Sequence, residues 1–234
     1  MGIILVKFGA VAQLGERRVR NAEAGSSILL GSTILKVLAM KLILGSKSLG
    51  RKKILAKMGY KFTVIDPNID EKIIRHNDPK KLVVALARAK AQAILATIHK
   101  SALLLTADQV VLCNNRILEK PRDQNEARNF LHMHLKYPAE TITAIAITNT
   151  ATKKQLYGVD IAKIWLSTIP SNVIEKLVKK KYVTNCAGGF SIDDPLFKKY
   201  VIKIAGTVES IAGLPVELTK QLITKIICPG GTAG

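Results

Sequence analysis

The sequence predicts an α/β fold, and three observations carry that prediction. From residue 41 onward, short β-branched runs alternate with longer helical runs, the pattern of strands interleaved with packed helices. Most of the helical runs open on a capping side chain or a proline, as Asp78-Pro79, Asp123, Pro170 and Pro215 do. Hydrophobic residues make up 48% of the chain and charged residues 23%, enough apolar material for a proper core and too much for a mainly disordered chain.

The elements follow in order. Lys41–Gly45 reads as a strand and Leu49–Met58 as a helix, with Gly59 as its stop. Phe62–Ile65 reads as a second strand. Asp78 caps a long helix that opens on Pro79 and runs to His99, with Leu82, Ala85, Leu86, Ala89 and Ala93 along its buried face. Ala102–Cys113 is strand-like, and Asn114-Asn115 predicts a tight turn into a short strand over 116–118. Asp123 caps a helix to Leu135. Thr141–Thr148 alternates T-I-T-A-I-A-I-T, the period of a half-buried strand, and Tyr157–Ile169 is its antiparallel partner. A helix over Pro170–Lys180, a strand over Val201–Ala205 and a helix over Pro215–Ile226 complete the reading. Residues 139–190 read as a second lobe of the same domain, because no linker-like composition divides them.

The first 39 residues differ. They hold Arg17, Arg18 and Arg20, three of the nine arginines, and the run over 10–34 resembles the chance translation product of a transfer-RNA gene. We therefore expect 1–39 to be a non-native or disordered extension with the true start at Met40, 40–227 to be the working domain, and 228–234 a flexible tail. An organellar leader is the rival reading, and Glu16 and Glu23 count against it. The apolar run over 28–45 contains Lys36 and Lys41, each costing roughly 2.5–3.5 kcal/mol near a bilayer centre, so a soluble, non-membrane protein is expected.

The formal net charge is +19, from 36 basic and 17 acidic residues. It points to a polyanionic partner without choosing among nucleic acid, anionic lipid and phosphate-bearing small molecules. Lysine supplies 27 of the 36; codon bias in an AT-rich genome is one source of that excess, and lysine lacks arginine's planar fork. Aromatics are 5%, which disfavours a base-stacking platform. Cys113, Cys186 and Cys228 are odd in number and widely spaced. They exclude a disulfide framework and a cysteine zinc site, and suit a reducing cytoplasm.

Several segments could carry chemistry. Gly45–Lys52 places a small-residue turn between a strand and a helix, an anion site built from free N–H groups and the helix dipole. Ser46 and Ser48 add hydroxyls there, and Arg51 a charged fork. The segment approaches a P-loop, but Arg51 and Lys52 stand where Lys and Ser/Thr belong, which excludes that reading. Asp70-Glu71 offers carboxylates for a hard divalent cation. Asp108 sits in an otherwise apolar strand, where a carboxylate needs a partner, a metal or a function; it is the foremost candidate for general base or metal ligand. Lys90 and Lys120 are possible phosphate contacts. His132 and His134 point about 200° apart on a helix, cannot share a metal, and read as helix-face residues. Cys186 has no histidine placed near it by any motif, so a nucleophilic role has little support.

Taken in order, LILGSKSLGRKKILAKMGY, NIDE at 68–71, LARAKA at 86–91, TADQVV at 106–111, ILEKP at 117–121, CAGGF at 186–190 and GLP at 213–215 resemble the Maf family of nucleoside triphosphate pyrophosphatases over about 41–225. The resemblance implies an elongated, curved mixed sheet with flanking helices and two lobes around a central cleft, commonly as a homodimer. It implies Mg²⁺- or Mn²⁺-dependent hydrolysis of a nucleoside triphosphate to monophosphate and pyrophosphate, an activity that would keep modified nucleotides out of nucleic acids. By the same resemblance, Asp108 matches the proton acceptor, with Lys90 and Lys120 as catalytic cations. Ser46, Ser48 and Arg51 match the phosphate loop, and Glu71 with Asp108 the metal ligands. Gly50, Gln109 and Asp193 stand at positions that distinguish branches. The dTTP/UTP branch has Arg, Thr and Gln there. The 7-methyl-GTP branch shares Gln109, the C-A-G-x-F segment and an acid at 193, but has Trp at the position of Gly50. The reading leans to 7-methyl-GTP. The alternatives are a dTTP/UTP pyrophosphatase, or a non-catalytic basic nucleic-acid-binding protein linked to division arrest.

Overall fold

A computed structural model of the chain describes residues 40–228. The expected extension over 1–39 and, except for Cys228, the expected tail lie outside the described residues. Seven strands form one mixed sheet: β1 (Leu42–Gly45), β2 (Phe62–Val64), β3 (Leu103–Cys113), β4 (Arg116–Leu118), β5 (Ala139–Asn149), β6 (Gln155–Leu166) and β7 (Val201–Ala205). Their order is β2-β1-β3-β5-β6-β7, with β4 beside β3. β1 runs parallel to β2 and β3. The other pairings are antiparallel. All four residues of β1 are buried, as an apolar strand inside the parallel part of a sheet must be.

The helices are α1 (Leu49–Lys57), α2 (Pro79–Leu95), α3 (Gln124–Lys136), α4 (Ser171–Val178), α5 (Pro195–Lys198), α6 (Val208–Ile211) and α7 (Val216–Ile227). Side-chain caps start several of them: Ser48 for α1, Asp78 for α2, Asp123 for α3 and Asp194 for α5. α2 stops four residues short of the expected His99, where Thr97 turns its N–H and hydroxyl back onto the Ile94 carbonyl. Asn114 and Asn115 both take left-handed φ, 47° and 59°, the conformation of the tight turn expected between β3 and β4. The short α5 and α6, and single 3-10 turns at Glu71–Ile73, Val183–Asn185 and Ala187–Gly189, were not foreseen.

Apolar clusters pack on the sheet, two of which matter here. One packs Leu82, Leu86 and Ala87 of α2 on Val110, Ile142 and Ala144. The other packs Leu131, Ile164, Leu177, Phe190 and Phe197 together. β5 reaches both, through Ala139 and through Ile142–Ala146. One long strand thus serves both clusters.

The register of β3 creates the opening the site needs. β1 pairs with Leu103–Thr106, and β4 pairs with Val111–Cys113 on the same edge. Residues 107–110 are left without a strand neighbour there, so their backbone edge faces a gap between two strand ends, while their side chains alternate between the two faces of the sheet.

Candidate active site

Asp108 lies in that gap, with 6% of its surface exposed. Lys90 reaches it from α2. The buried stripe of α2 is Leu82, Val83, Leu86, Ala87, Lys90, Ala91 and Ile94, so Lys90 falls on the inward face one turn beyond Leu86. Its Nζ donates to Asp108 Oδ1 at 2.5 Å and lies 2.8 Å from Glu71 Oε1. Lys120, after β4, faces Glu71 Oε2 at 3.9 Å. Glu71, Lys90, Asp108 and Lys120, which lie in four separate stretches of sequence, are thus brought together.

The two carboxylates are tuned in opposite directions. Burial pushes the Asp108 carboxyl above the usual range, against the opposing pull of Lys90 and Arg51. Burial also works against charge on Glu71, but Lys90, Lys120 and Arg51 together hold it below the usual range. One acid is left with raised proton affinity and the other stays ionised, the division that acid–base sites use.

Arg51 is placed differently from a free phosphate fork. It is buried; its Nε donates to the Gly213 carbonyl at 2.9 Å, and its Nη1 to the Ala107 carbonyl at 2.9 Å and to Ser46 Oγ at 3.3 Å. The guanidinium clamps the β1–α1 loop to the open edge of β3 and to the α6–α7 loop. Ser46 Oγ also accepts from the Ser48 N–H at 3.2 Å, and Ser48 Oγ caps α1 by accepting from the Arg51 N–H at 3.4 Å. Both hydroxyls shape the loop, and the first N–H groups of α1 point past it to where an anion would sit.

Gln109 Nε2 donates to Thr143 Oγ1 at 2.9 Å and to the Ser210 and Ile211 carbonyls at 3.1 and 3.2 Å. It holds α6 against the sheet. A Cβ on Gly50 would lie 3.2 Å from the Ala212 carbonyl, so the bare position lets the α6–α7 loop close on α1. Asp193 is not in the Asp108 cluster. It is half-exposed, 3.9 Å from Lys53. It lines a separate cavity of about 350 Å³ with Lys53, Ile54, Val208, Glu209 and Ala212. Asp70 caps the following turn, accepting from the Lys72 N–H at 3.0 Å.

His134, read from sequence as a helix-face residue, is buried. Its Nε2 meets the Gly188 carbonyl at 2.9 Å, and its ring stands edge-on to Phe190. The Gly188 N–H donates in turn to the Glu119 carbonyl at 3.0 Å, so His134 braces the segment that carries Lys120. Gly188 has φ +70°, and a Cβ there would meet Val111 Cγ2 at 2.9 Å. Only glycine fits. Spacing along α3 could have revealed His134, since it lies one turn beyond Phe130 and Leu131 on the buried face. Burial pushes the Cys186 thiol up, the opposite of what a nucleophilic thiolate needs.

The donor set can be tested against a divalent cation. Among the described residues no group of three or more His, Cys, Asp or Glu side chains converges on one point. Two hard carboxylates, Glu71 and Asp108, converge, and the Lys90 ammonium stands between them. Mg²⁺ is commonly held by one or two carboxylates plus substrate phosphates. The residues therefore fit a cation that arrives with an anionic substrate, and do not form a complete protein cage.

Residues 41–226 match the model of the Maf-like protein family. The chain belongs to the Maf family. A 7-methyl-GTP pyrophosphatase from Dictyostelium discoideum is 39% identical over 192 residues, covering 79% of this chain and 96% of the relative. A dTTP/UTP pyrophosphatase from Vibrio vulnificus is 30% identical, covering 80% and 99%, and one from Vibrio cholerae is 31% identical, covering 79% and 97%. A solved nucleoside-triphosphatase / dITP/XTP pyrophosphatase from Mycobacterium abscessus aligns with a TM-score of 0.39 at 11% identity, over 78% of this chain and 93% of that chain. That superposition is too loose to bear on the site. Among the described residues no helix is long and apolar enough to cross a membrane.

Proposed function

We propose that this Maf protein is a metal-dependent nucleotide pyrophosphatase that hydrolyses a nucleoside triphosphate between its α and β phosphates. The observation that carries the reading is the buried Asp108–Lys90 pair with the half-exposed Glu71 against it, set at an unpaired stretch of β3 beside the N-terminus of α1. The raised proton affinity of Asp108 suits it to accept the proton of the attacking water, a role worth typically 10²–10⁴-fold in rate. Lys90 holds that carboxylate in place. The Ser46–Ser48 loop and the first turn of α1 receive the phosphate oxygens, and Lys120 meets charge developing on the departing pyrophosphate. Glu71 and Asp108 would hold Mg²⁺ or Mn²⁺, which supplies charge neutralisation when bound.

A 7-methyl-GTP-like substrate is the preferred one. Asp193 is joined by Glu209 in the cavity beside α1, whose Ile54 and Val208 walls suit a base. Lys53 and Lys57 balance the two acids in that cavity, so the preference for 7-methyl-GTP rests on the apolar walls and on the family resemblance, not on its charge. The two dTTP/UTP relatives above share less identity than the 7-methyl-GTP relative. Three cysteines, odd in number and widely spaced along the chain, agree with a cytoplasmic setting, and sedimentation reads whether the protein is the homodimer that its family resemblance implies. The deciding experiment scores pyrophosphate release from a panel of nucleotides with Mg²⁺ or Mn²⁺. 7-methyl-GTP should have the highest kcat/KM. Equal or better turnover of dTTP would end the preference, and salt-sensitive nucleic-acid binding with no turnover at all would end the enzyme reading.

A further inference from the structure

A second polar region of the cleft is unused by the chemistry above. A cavity of about 390 Å³ opens beside Lys120, with Arg75, Arg116, Glu119, Arg122 and Glu126 among its walls. Arginine is scarce in this chain, and only six of the nine lie after residue 40. Three of those six, Arg75, Arg116 and Arg122, meet at this one cavity. In a protein that covers its solvated faces with lysine, arginine collected in one place marks a position where the planar fork is used.

The two acids orient these cations more than they neutralise them. Arg75 uses one nitrogen, Nη1, for Glu119 Oε1 at 3.3 Å and for the Ile74 and Glu71 carbonyls at 3.1 and 3.4 Å, so its guanidinium is anchored by a single corner. Glu126 accepts the Arg122 N–H at 2.7 Å and its Nε at 3.1 Å, while its own N–H goes to Asp123 at 2.8 Å. This is a reciprocal cap at the start of α3 that also aims Arg122. Four cations remain against two acids. The cavity is tied to the reacting centre, since Arg75 bonds the Glu71 backbone and Lys120 faces the Glu71 carboxylate. The other cavity balances Lys53 and Lys57 against Asp193 and Glu209 beside apolar walls, so it holds no comparable excess of cations.

We infer that the arginine cavity receives the phosphate chain beyond the cleaved anhydride, with room for more than two phosphates, so that nucleoside 5′-tetraphosphates are substrates. The inference rests on the pyrophosphatase reading. In the reaction a water oxygen bonds to the α phosphorus and the bond from that phosphorus to the α–β bridging oxygen breaks. The electron pair leaves on the bridging oxygen, and the water proton passes to Asp108. The products are nucleoside monophosphate and tripolyphosphate.

The test is calorimetric titration of the full chain with inorganic tripolyphosphate and with a nucleoside monophosphate, at about 0.15 M salt to suppress loose surface binding. Wild type is compared with an Arg75→Gln/Arg116→Gln variant, whose exposed side chains leave folding untouched, as circular dichroism verifies. Tripolyphosphate affinity should fall about tenfold or more, the scale of losing charged hydrogen bonds, while monophosphate affinity stays the same. In turnover, wild type should cleave a nucleoside tetraphosphate, and the variant should lose more kcat/KM on it than on the triphosphate. Unchanged tripolyphosphate affinity in the folded variant overturns the inference. So does an absence of tetraphosphate cleavage by a chain that cleaves triphosphates. If no nucleotide is cleaved, yet the variant still loses tripolyphosphate, the pyrophosphatase reading fails and the anion cavity stands.

Discussion

Lowering the pH should cost this protein stability through one imidazole, and the size of the cost follows from where His134 sits. Its Nε2–H donates to the Gly188 carbonyl, which leaves Nδ1 as an unprotonated acceptor, buried and without a hydrogen-bond partner. Protonation would bury a charge with nothing to receive the new N–H. Burial accordingly lowers the pKa from 6.5 to about 4, against the smaller opposing effect of the Gly188 carbonyl. The unfolded chain takes up this proton near pH 6.5 and the folded chain only near 4, so the unfolded state binds more protons between those values. The contribution is fully present above pH 6.5 and is lost as pH falls toward 4. Between pH 7 and 4.5 it amounts to about 2.5 kcal/mol, or about 5–10 °C in Tm for a domain of this size. Other groups titrate in the same range, so the measurement is a double difference: urea unfolding of wild type and His134→Gln at both pH values. Gln keeps a donor for Gly188 but cannot titrate. It should cost about 1 kcal/mol at pH 7, and its loss on acidification should be about 2.5 kcal/mol smaller than that of wild type. Parallel losses in the two proteins would refute the reasoning.

Four further outcomes are expected. Asp108→Asn should lower kcat about 10²–10⁴-fold and lower Tm as well while keeping the fold, because it leaves Lys90 and Arg51 against Glu71 alone; steady-state kinetics beside calorimetry reads both. Arg51→Lys keeps the charge but cannot span the Gly213 and Ala107 carbonyls. It should cost about 1–3 kcal/mol in urea unfolding and raise KM by loosening the anion loop. Gly45→Ala would place a Cβ 2.5 Å from Ile94 Cδ1 and 2.7 Å from Thr106 Cγ2, an overpacking worth about 1–3 kcal/mol that a thermal melt detects. Chelation should abolish pyrophosphate release, and Mg²⁺ or Mn²⁺ should restore it. Adding the metal without nucleotide should barely move Tm, since two carboxylates already shared with Lys90 make a weak site by themselves.

What the sequence made legible was whatever neighbouring residues decide. The Asn-Asn turn and the Asp caps are set within a few positions, and they stand where the residues put them. The half-buried alternation read over 141–148 does not hold: all eight residues are buried, because α2 and α7 both pack on β5. Asp108 was legible because a lone carboxylate in an apolar strand is conspicuous. Lys90 was nearly so, since it continues the Leu82–Leu86 spacing, but lysine on a helix reads as surface until a buried acid is known to face it. The clamp role of Arg51 was not legible, because its partners are carbonyls at 107 and 213 that only the β3 register and the α6–α7 loop bring close. The arginine cavity was hidden for the same reason. Its residues come from the loop before α2, from β4 and from the start of α3, and nothing local joins them.

The buried charges suggest why so cationic a chain keeps so few cations in its reacting centre. Arg51 and Lys90 lie against Asp108 and Glu71, two positive and two negative side chains in mutual reach. The cluster is neutral, the only condition under which such burial is tolerable, and its cations are committed to protein oxygens before any substrate arrives. A polyphosphate bringing a divalent cation still carries excess negative charge, which has to be met by groups that are not already spent. Lys120 and the arginines around it are exposed and placed just outside the neutral cluster. On the proposed reading, charge neutralisation of the leaving group belongs to this outer set, while the inner set fixes geometry and moves the proton. A variant that strips the outer cations should raise KM and weaken product binding while sparing the pH dependence of kcat. A variant in the inner pair should alter that pH dependence. The two sets can thus be told apart by kinetics alone.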